Sequence, residues 1–132
     1  MREKFTIVVA DDDLDDQDLI KSGLKDCRVQ VQVVPVFDGL KLMDYLLRRQ
    51  EYRNVTSLPD LILLDLNMPL MDGFQFLDEF EKLSSLAKKK CSIVMLTSSI
   101  NPQDFNRSKK YTNVKLYLNK PLSHESIMKL DV

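Results

Sequence analysis

Four consecutive large aliphatic residues, Leu61-Ile-Leu-Leu64, end in a carboxylate at Asp65. An unbroken apolar run of this length suits a strand covered on both faces, the condition of a central strand in a parallel sheet. In open parallel sheets the carboxyl ends of the strands are where ligands bind. An ionised carboxylate is costly to bury there unless a cation or donor meets it. The run Phe5-Thr-Ile-Val-Val-Ala10 also ends in acid, at Asp11, Asp12 and Asp13. Two acidic strand ends in one small chain call for a shared explanation, and a divalent cation supplies it.

With 132 residues the chain is long enough for a real core and is read as one domain spanning 1–132, with no output domain after it. Its net charge of -1 gives no general pull toward nucleic acid or an anionic membrane surface. No apolar run approaches the ~20 residues of a membrane span, and the polar N-terminus does not read as a signal peptide. Cys27 and Cys91 lack metal-ligand spacing and fit reduced, buried thiols, so a cytoplasmic location is expected.

Strand and helix patterns alternate along the whole chain. Asp13-Leu-Asp-Asp-Gln17 opens a helix expected to reach about Cys27, with Leu19, Ile20, Leu24 and Cys27 at helical spacing. Val29 to Phe37 reads as a strand whose Pro35 suits an edge. Asp38-Gly39 then turns into a helix expected to place Leu40, Met43, Leu46 and Leu47 on the sheet. The polar stretch Glu51–Pro59 is longer than most helix-to-strand connections. After the Leu61–Asp65 strand, Asp72-Gly73 leads into a helix carrying Phe76, Leu77, Phe80 and Leu83. Lys88-Lys-Lys90 is expected to be a solvated loop before the strand Cys91–Leu96. Asn101-Pro102 makes an N-cap and first-position pair for a short helix around Phe105. Val114 to Asn119 is the fifth strand, and Ser123 caps a final helix with Ile127 and Leu130. Five strands and five helices with right-handed crossovers predict a doubly wound α/β fold, a three-layer sandwich on a parallel sheet. The edge position for Pro35 favours the flavodoxin-like order 2-1-3-4-5, which brings Asp11, Asp12 and Asp65 to one rim.

The remaining strand ends add to that rim. The fourth strand ends in Thr97-Ser-Ser99, supplying hydroxyls, and the fifth in Asn119-Lys120-Pro121, supplying an ammonium. Hard oxygen ligands with an open side match Mg²⁺, which keeps several waters and accepts phosphate oxygens. A carboxylate beside Mg²⁺ and a lysine suits phosphoryl transfer, and the carboxylate can itself be the nucleophile. Asp65 is the best candidate, with Thr97 donating to a phosphoryl oxygen. Asp13, Asp15 and Asp16 read as helix-start acids, and Asp72 as a turn residue.

These fragments together closely resemble the receiver domains of two-component response regulators. The resemblance rests on Val9-Ala-Asp-Asp-Asp13, Leu64-Asp-Leu-Asn-Met-Pro69, Met71-Asp-Gly73, Leu96-Thr-Ser98 and Leu118-Asn-Lys-Pro121. It implies that Asp65 is phosphorylated by a sensor histidine kinase or a histidine phosphotransfer protein. It further implies Mg²⁺ held by Asp12, Asp65 and the backbone carbonyl of Asn67, with Asp11 completing the acidic pair. Thr97 and Lys120 would contact the phosphoryl group, Thr97 and Tyr117 would act as the switch, and the Lys120–Pro121 bond would be cis. The long Glu51–Pro59 connection is similar to stand-alone receivers that include phytochrome partners, and the whole chain also resembles the chemotaxis response regulator. Output would pass to a downstream protein or a second copy through the face of the fourth helix, fifth strand and fifth helix. The alternative is a small phosphatase of the haloacid-dehalogenase type, to which Asp11-x-Asp13 bears a superficial likeness. A further acidic pair after the lysine, which that chemistry expects, is missing.

Overall fold

Five parallel strands lie side by side in the order β2-β1-β3-β4-β5. They are β1 (Phe5–Ala10), β2 (Val31–Val36), β3 (Leu61–Asp65), β4 (Ser92–Thr97) and β5 (Val114–Asn119). Among the described residues six helices connect or follow them: α1 (Leu14–Leu24), α2 (Gly39–Leu47), α3 (Gly73–Phe80), α4 (Ser85–Lys90), α5 (Pro102–Ser108) and α6 (His124–Met128). The computed structural model describes residues 5–25 and 31–130, so the expectations at Cys27 and Val29 lie outside the described residues.

Strand β3 is buried along its whole length, as its unbroken apolar sequence requires. It and its neighbours carry alternate residues to two cores. Val8, Ala10, Ile62, Leu64, Ile93 and Met95 face one layer, where α2 and α3 add Leu42, Met43, Phe76, Leu77 and Phe80. Ile7, Val9, Leu61, Leu63, Val94 and Leu96 face the other, where α1 and α6 add Ile20, Leu24 and Ile127. Pro35 lies on the edge strand β2 opposite Val9, where its missing N–H can face away from the sheet.

Helix starts follow the side chains that can cap them. Asp13, Asp38, Asn101 and Ser123 each accept hydrogen bonds from backbone N–H groups of the first turn. Asp72 and Gln75 form a reciprocal capping box at α3.

Three expectations are corrected. Lys88–Lys90 is not a loop: it closes α4, a short helix capped by Ser84 with Ala87 buried, its lysines placed where a helix C-terminus favours cations. The buried face of α2 is turned from the expected one. Leu42, Met43, Tyr45 and Leu46 are inside, whereas Leu40 and Leu47 are 43% and 42% exposed. On α1 Leu19 is likewise half-exposed, and Gln17 takes the inward position with Ile20 and Leu24. The long connection before β3 opens with a 3₁₀ turn, Gln50–Tyr52, whose Tyr52 ring meets Tyr45 edge-on at 5.2 Å.

Candidate functional site

The C-terminal rim of the sheet is built from successive strand ends. Asp11 continues β1 by donating its N–H to the Val36 carbonyl, which fixes the carboxylate inside the fold. Its Oδ1 accepts from the Asp13 N–H at 2.9 Å. Asp12 follows and is exposed, giving the cluster an open side. Asp65 ends β3, almost wholly buried, and its Oδ1 accepts from the Asn67 N–H at 3.2 Å. The chain then folds back so tightly that a Cβ on Gly73 would lie 2.9 Å from the Asp65 carbonyl oxygen. Oxygens of Asp11, Asp12 and Asp65 all lie within 4.8 Å of one another.

One ammonium enters this cluster. The Lys120 N–H donates to the Thr97 carbonyl at 2.7 Å, holding the ends of β5 and β4 together. The Lys120 Nζ lies 2.8 Å from Asp11 Oδ2, 2.7 Å from Asp16 Oδ2 and 3.3 Å from Asp65 Oδ2. The Lys120–Pro121 peptide is cis. Three carboxylates thus gather around one cation.

Burial, then the nearby Asp11 charge, pushes the Asp65 carboxyl up to about 6, with Lys120 working against the rise. Burial acts to lower the Lys120 ammonium, but hydrogen bonds from it to Asp11 and Asp16 and the Asp65 charge outweigh this and raise it. The group therefore remains protonated at neutral pH.

Thr97 is fully buried at the end of β4, one residue beyond the partner of Asp65, and its Oγ1 accepts from the Ser99 N–H at 2.9 Å. Tyr117 lies on a cleft of about 320 Å³ shared with Ser99, Ile100, Phe105 and Lys120. Its ring meets Phe105 edge-on at 5.3 Å, and its buried hydroxyl has no hydrogen-bond partner among the described residues. Asp13 and Asp72 act as helix caps.

Two residues of this rim escape a reading of the sequence. Asp16 passes for one more helix-start acid, yet its side chain meets Lys120. Gln17 is buried, and its amide nitrogen lies 2.9, 2.9 and 3.0 Å from the carbonyl oxygens of Val9, Asp11 and Val36. The available signal was its position in phase with Ile20 and Leu24 on the inward stripe of α1.

Residues 7–130 match the family described as response regulator receiver domain. The chain is a receiver domain of that family. It is 33% identical over 124 residues to the response regulator Rcp1 of a Synechocystis species, covering 94% of this chain and 82% of that one. The phosphorylated cyanobacterial phytochrome response regulator RcpA superposes with a TM-score of 0.83 at 34% identity, over 97% of this receiver and 89% of RcpA. The Mn²⁺-bound form of Rcp1 superposes with a TM-score of 0.82 at 32% identity, over 96% and 88%. The receiver belongs to two-component signalling, as a signalling protein and not a conventional enzyme. Among its described residues, no helix is long and apolar enough to cross a membrane.

Proposed function

We propose that this receiver accepts a phosphoryl group on Asp65 from a phosphohistidine of a sensor histidine kinase or a histidine phosphotransfer protein. The observation that carries the reading is the Asp65 carboxylate itself, buried at the end of β3 and facing the Lys120 ammonium. With its pKa raised to only about 6, Asp65 is largely ionised at pH 7 and able to act as a nucleophile. An Asp65 oxygen attacks phosphorus, the phosphorus–nitrogen bond breaks, and the histidine leaves with the bonding pair. Lys120 and the Thr97 hydroxyl are the groups that meet the charge of the transferred oxygens. Water later hydrolyses the acyl phosphate, a slow self-dephosphorylation.

The donor set fits Mg²⁺, since it offers hard oxygens, one exposed carboxylate and an excess of negative charge. Asp12, Asp65 and the Asn67 carbonyl would hold the ion, with Asp11 reaching it through water. When bound, the ion would draw phosphoryl oxygens into the rim and offset their charge. That the similar Rcp1 has a Mn²⁺-bound form supports a divalent ion in this receiver too.

Phosphorylation would draw the Thr97 hydroxyl toward the new oxygens and open space for Tyr117, shifting the population between two packings of one face. That face is α5, β5 and α6, and it would be read by a downstream protein or a second copy of the chain. Likeness to RcpA, a phytochrome response regulator, supports a phytochrome-type kinase as the donor.

Incubation with acetyl phosphate and Mg²⁺ tests the reading. A single acid-stable, base-labile adduct on Asp65, formed slowly and stoichiometrically and lost in Asp65→Asn, is expected. An adduct on Asp11, Asp12 or Asp72 would sink it, and continuous turnover would indicate a phosphatase.

A further inference from the structure

The Lys120 ammonium has three N–H donors, and three carboxylates surround it: Asp16 at 2.7 Å, Asp11 at 2.8 Å and Asp65 at 3.3 Å. It hydrogen-bonds Asp11 and Asp65 and is held against Asp16 as an ion pair, and the acceptor carboxylate is the most distant of the three. A lysine that swings toward a phosphoryl oxygen on Asp65 moves away from Asp11 or Asp16, the partners on its other sides. Asp11 is fully buried, and a buried carboxylate left without its cation is strongly unfavourable. The Asp16 side chain is 22% exposed and can be taken over by water.

Asp16 also cannot follow the lysine. Its N–H donates to Asp13 Oδ1 at 3.2 Å, in the cap that fixes the first turn of α1. The next residue, Gln17, ties that turn to the ends of β1 and β2 through the Val9, Asp11 and Val36 carbonyls. Among the described residues the Asp16 carboxylate has no other ion pair.

We propose that Asp16 is a positioning residue that holds Lys120 in the unphosphorylated state and is released when the lysine turns to the phosphoryl group. Asp16 thereby biases the switch toward its resting form. The inference rests on Asp65 as the phosphoacceptor and concerns how readily that site is occupied.

Beryllofluoride, a phosphoryl mimic, is titrated into the full chain at saturating Mg²⁺ and followed by fluorine NMR. Asp16→Asn is expected to bind it about two- to fivefold more tightly, the scale of one partly screened ion pair. Asp16→Glu, which keeps the charge, stays close to wild type. In a Lys120→Gln background the Asp16→Asn change brings no gain. Unchanged or weaker binding by Asp16→Asn overturns the proposal. A gain that persists without Lys120 also overturns it, because the Asp16 charge would then act on the mimic directly. A beryllofluoride-bound structure of the wild type gives a second reading. There the Lys120 Nζ has left Asp16, and an intact pair overturns the proposal. Wild type that takes up no beryllofluoride at all refutes the phosphoacceptor reading itself, and the inference falls with it.

Discussion

Asp65 is held in a place that disfavours its charge. Burial and the Asp11 carboxylate raise its pKa from the ordinary 3.8 to about 6, so the folded chain binds this proton more tightly than the unfolded chain does. The stabilising contribution is therefore complete below the ordinary value and is lost as pH rises through about 6. In metal-free buffer at pH 7, Asp65→Asn should be more stable than wild type by roughly 1–3 kcal/mol. Urea denaturation at pH 7 and again near the acid end of this window checks the sign. The gap should shrink toward acid, and a gap independent of pH would show that repulsion is not its source. Asp11, Asp12, Asp65, Thr97 and Lys120 could be found in the sequence because each follows or ends a hydrophobic run, and strand ends share a rim. Asp16 could not be separated from its acidic neighbours. Any acid in a first helical turn satisfies the helix dipole, and only the folded chain brings Lys120 to this one.

Elements were legible where one physical signal dominated. Continuous apolar runs marked the strands, capping residues marked the helix starts, and Pro35 marked the edge. Helix α4 was not legible, because six residues that bury only Ala87 leave no helical period to detect. The phase of α2 was misread because it holds more apolar residues than one face can bury. Gly39 explains part of that phase. A Cβ there would fall 2.1 Å from the backbone oxygen of Met71, so the N-terminus of α2 packs directly on the loop between β3 and α3. Neither side of that contact is a flexible side-chain end. Gly39→Ala should therefore destabilise the fold by about 1–3 kcal/mol. Gly23→Ala is the control, since its Cβ meets the Ile127 Cδ1 at 2.7 Å, the far end of a side chain that can rotate away. Its thermal midpoint should fall less than that of Gly39→Ala. Equal losses would mean that the α2 contact yields as easily as a rotamer.

At the scale of the whole molecule, the rim and the proposed output face are joined through β4 and β5. The Lys120 N–H bonds the Thr97 carbonyl just past the end of β5, and Tyr117 lies on β5 three residues earlier, on the cleft beside α5. Helix α5 is seven residues long and buries only Ser108. It is held largely by surface contacts: the Arg107 guanidinium sits 4.2 Å from the centre of the Phe74 ring and 3.7 Å from Asp78. Such an element is easily repacked, because few apolar contacts oppose the movement. Ile100 is 93% exposed at its entry and Phe105 is half-exposed, so the face already presents apolar surface. Phosphorylation at Asp65, or beryllofluoride with Mg²⁺, should then strengthen self-association or partner binding through α5, β5 and α6. Lys115 is exposed on β5, with its ammonium donating to the Thr112 carbonyl at 3.0 Å. Lys115→Glu should weaken the activated association by on the order of fivefold, the scale of one exposed charge pair, and leave adduct formation on Asp65 unchanged. Sedimentation of the beryllofluoride-bound chain, with and without a candidate partner, measures the first effect, and mass spectrometry after acetyl phosphate measures the second. Hydrogen exchange locates the surface: protection on activation should change across α5 and β5. Changes confined to α1 and α2 would place the reader surface on the opposite edge of the sheet and remove Tyr117 from the switch.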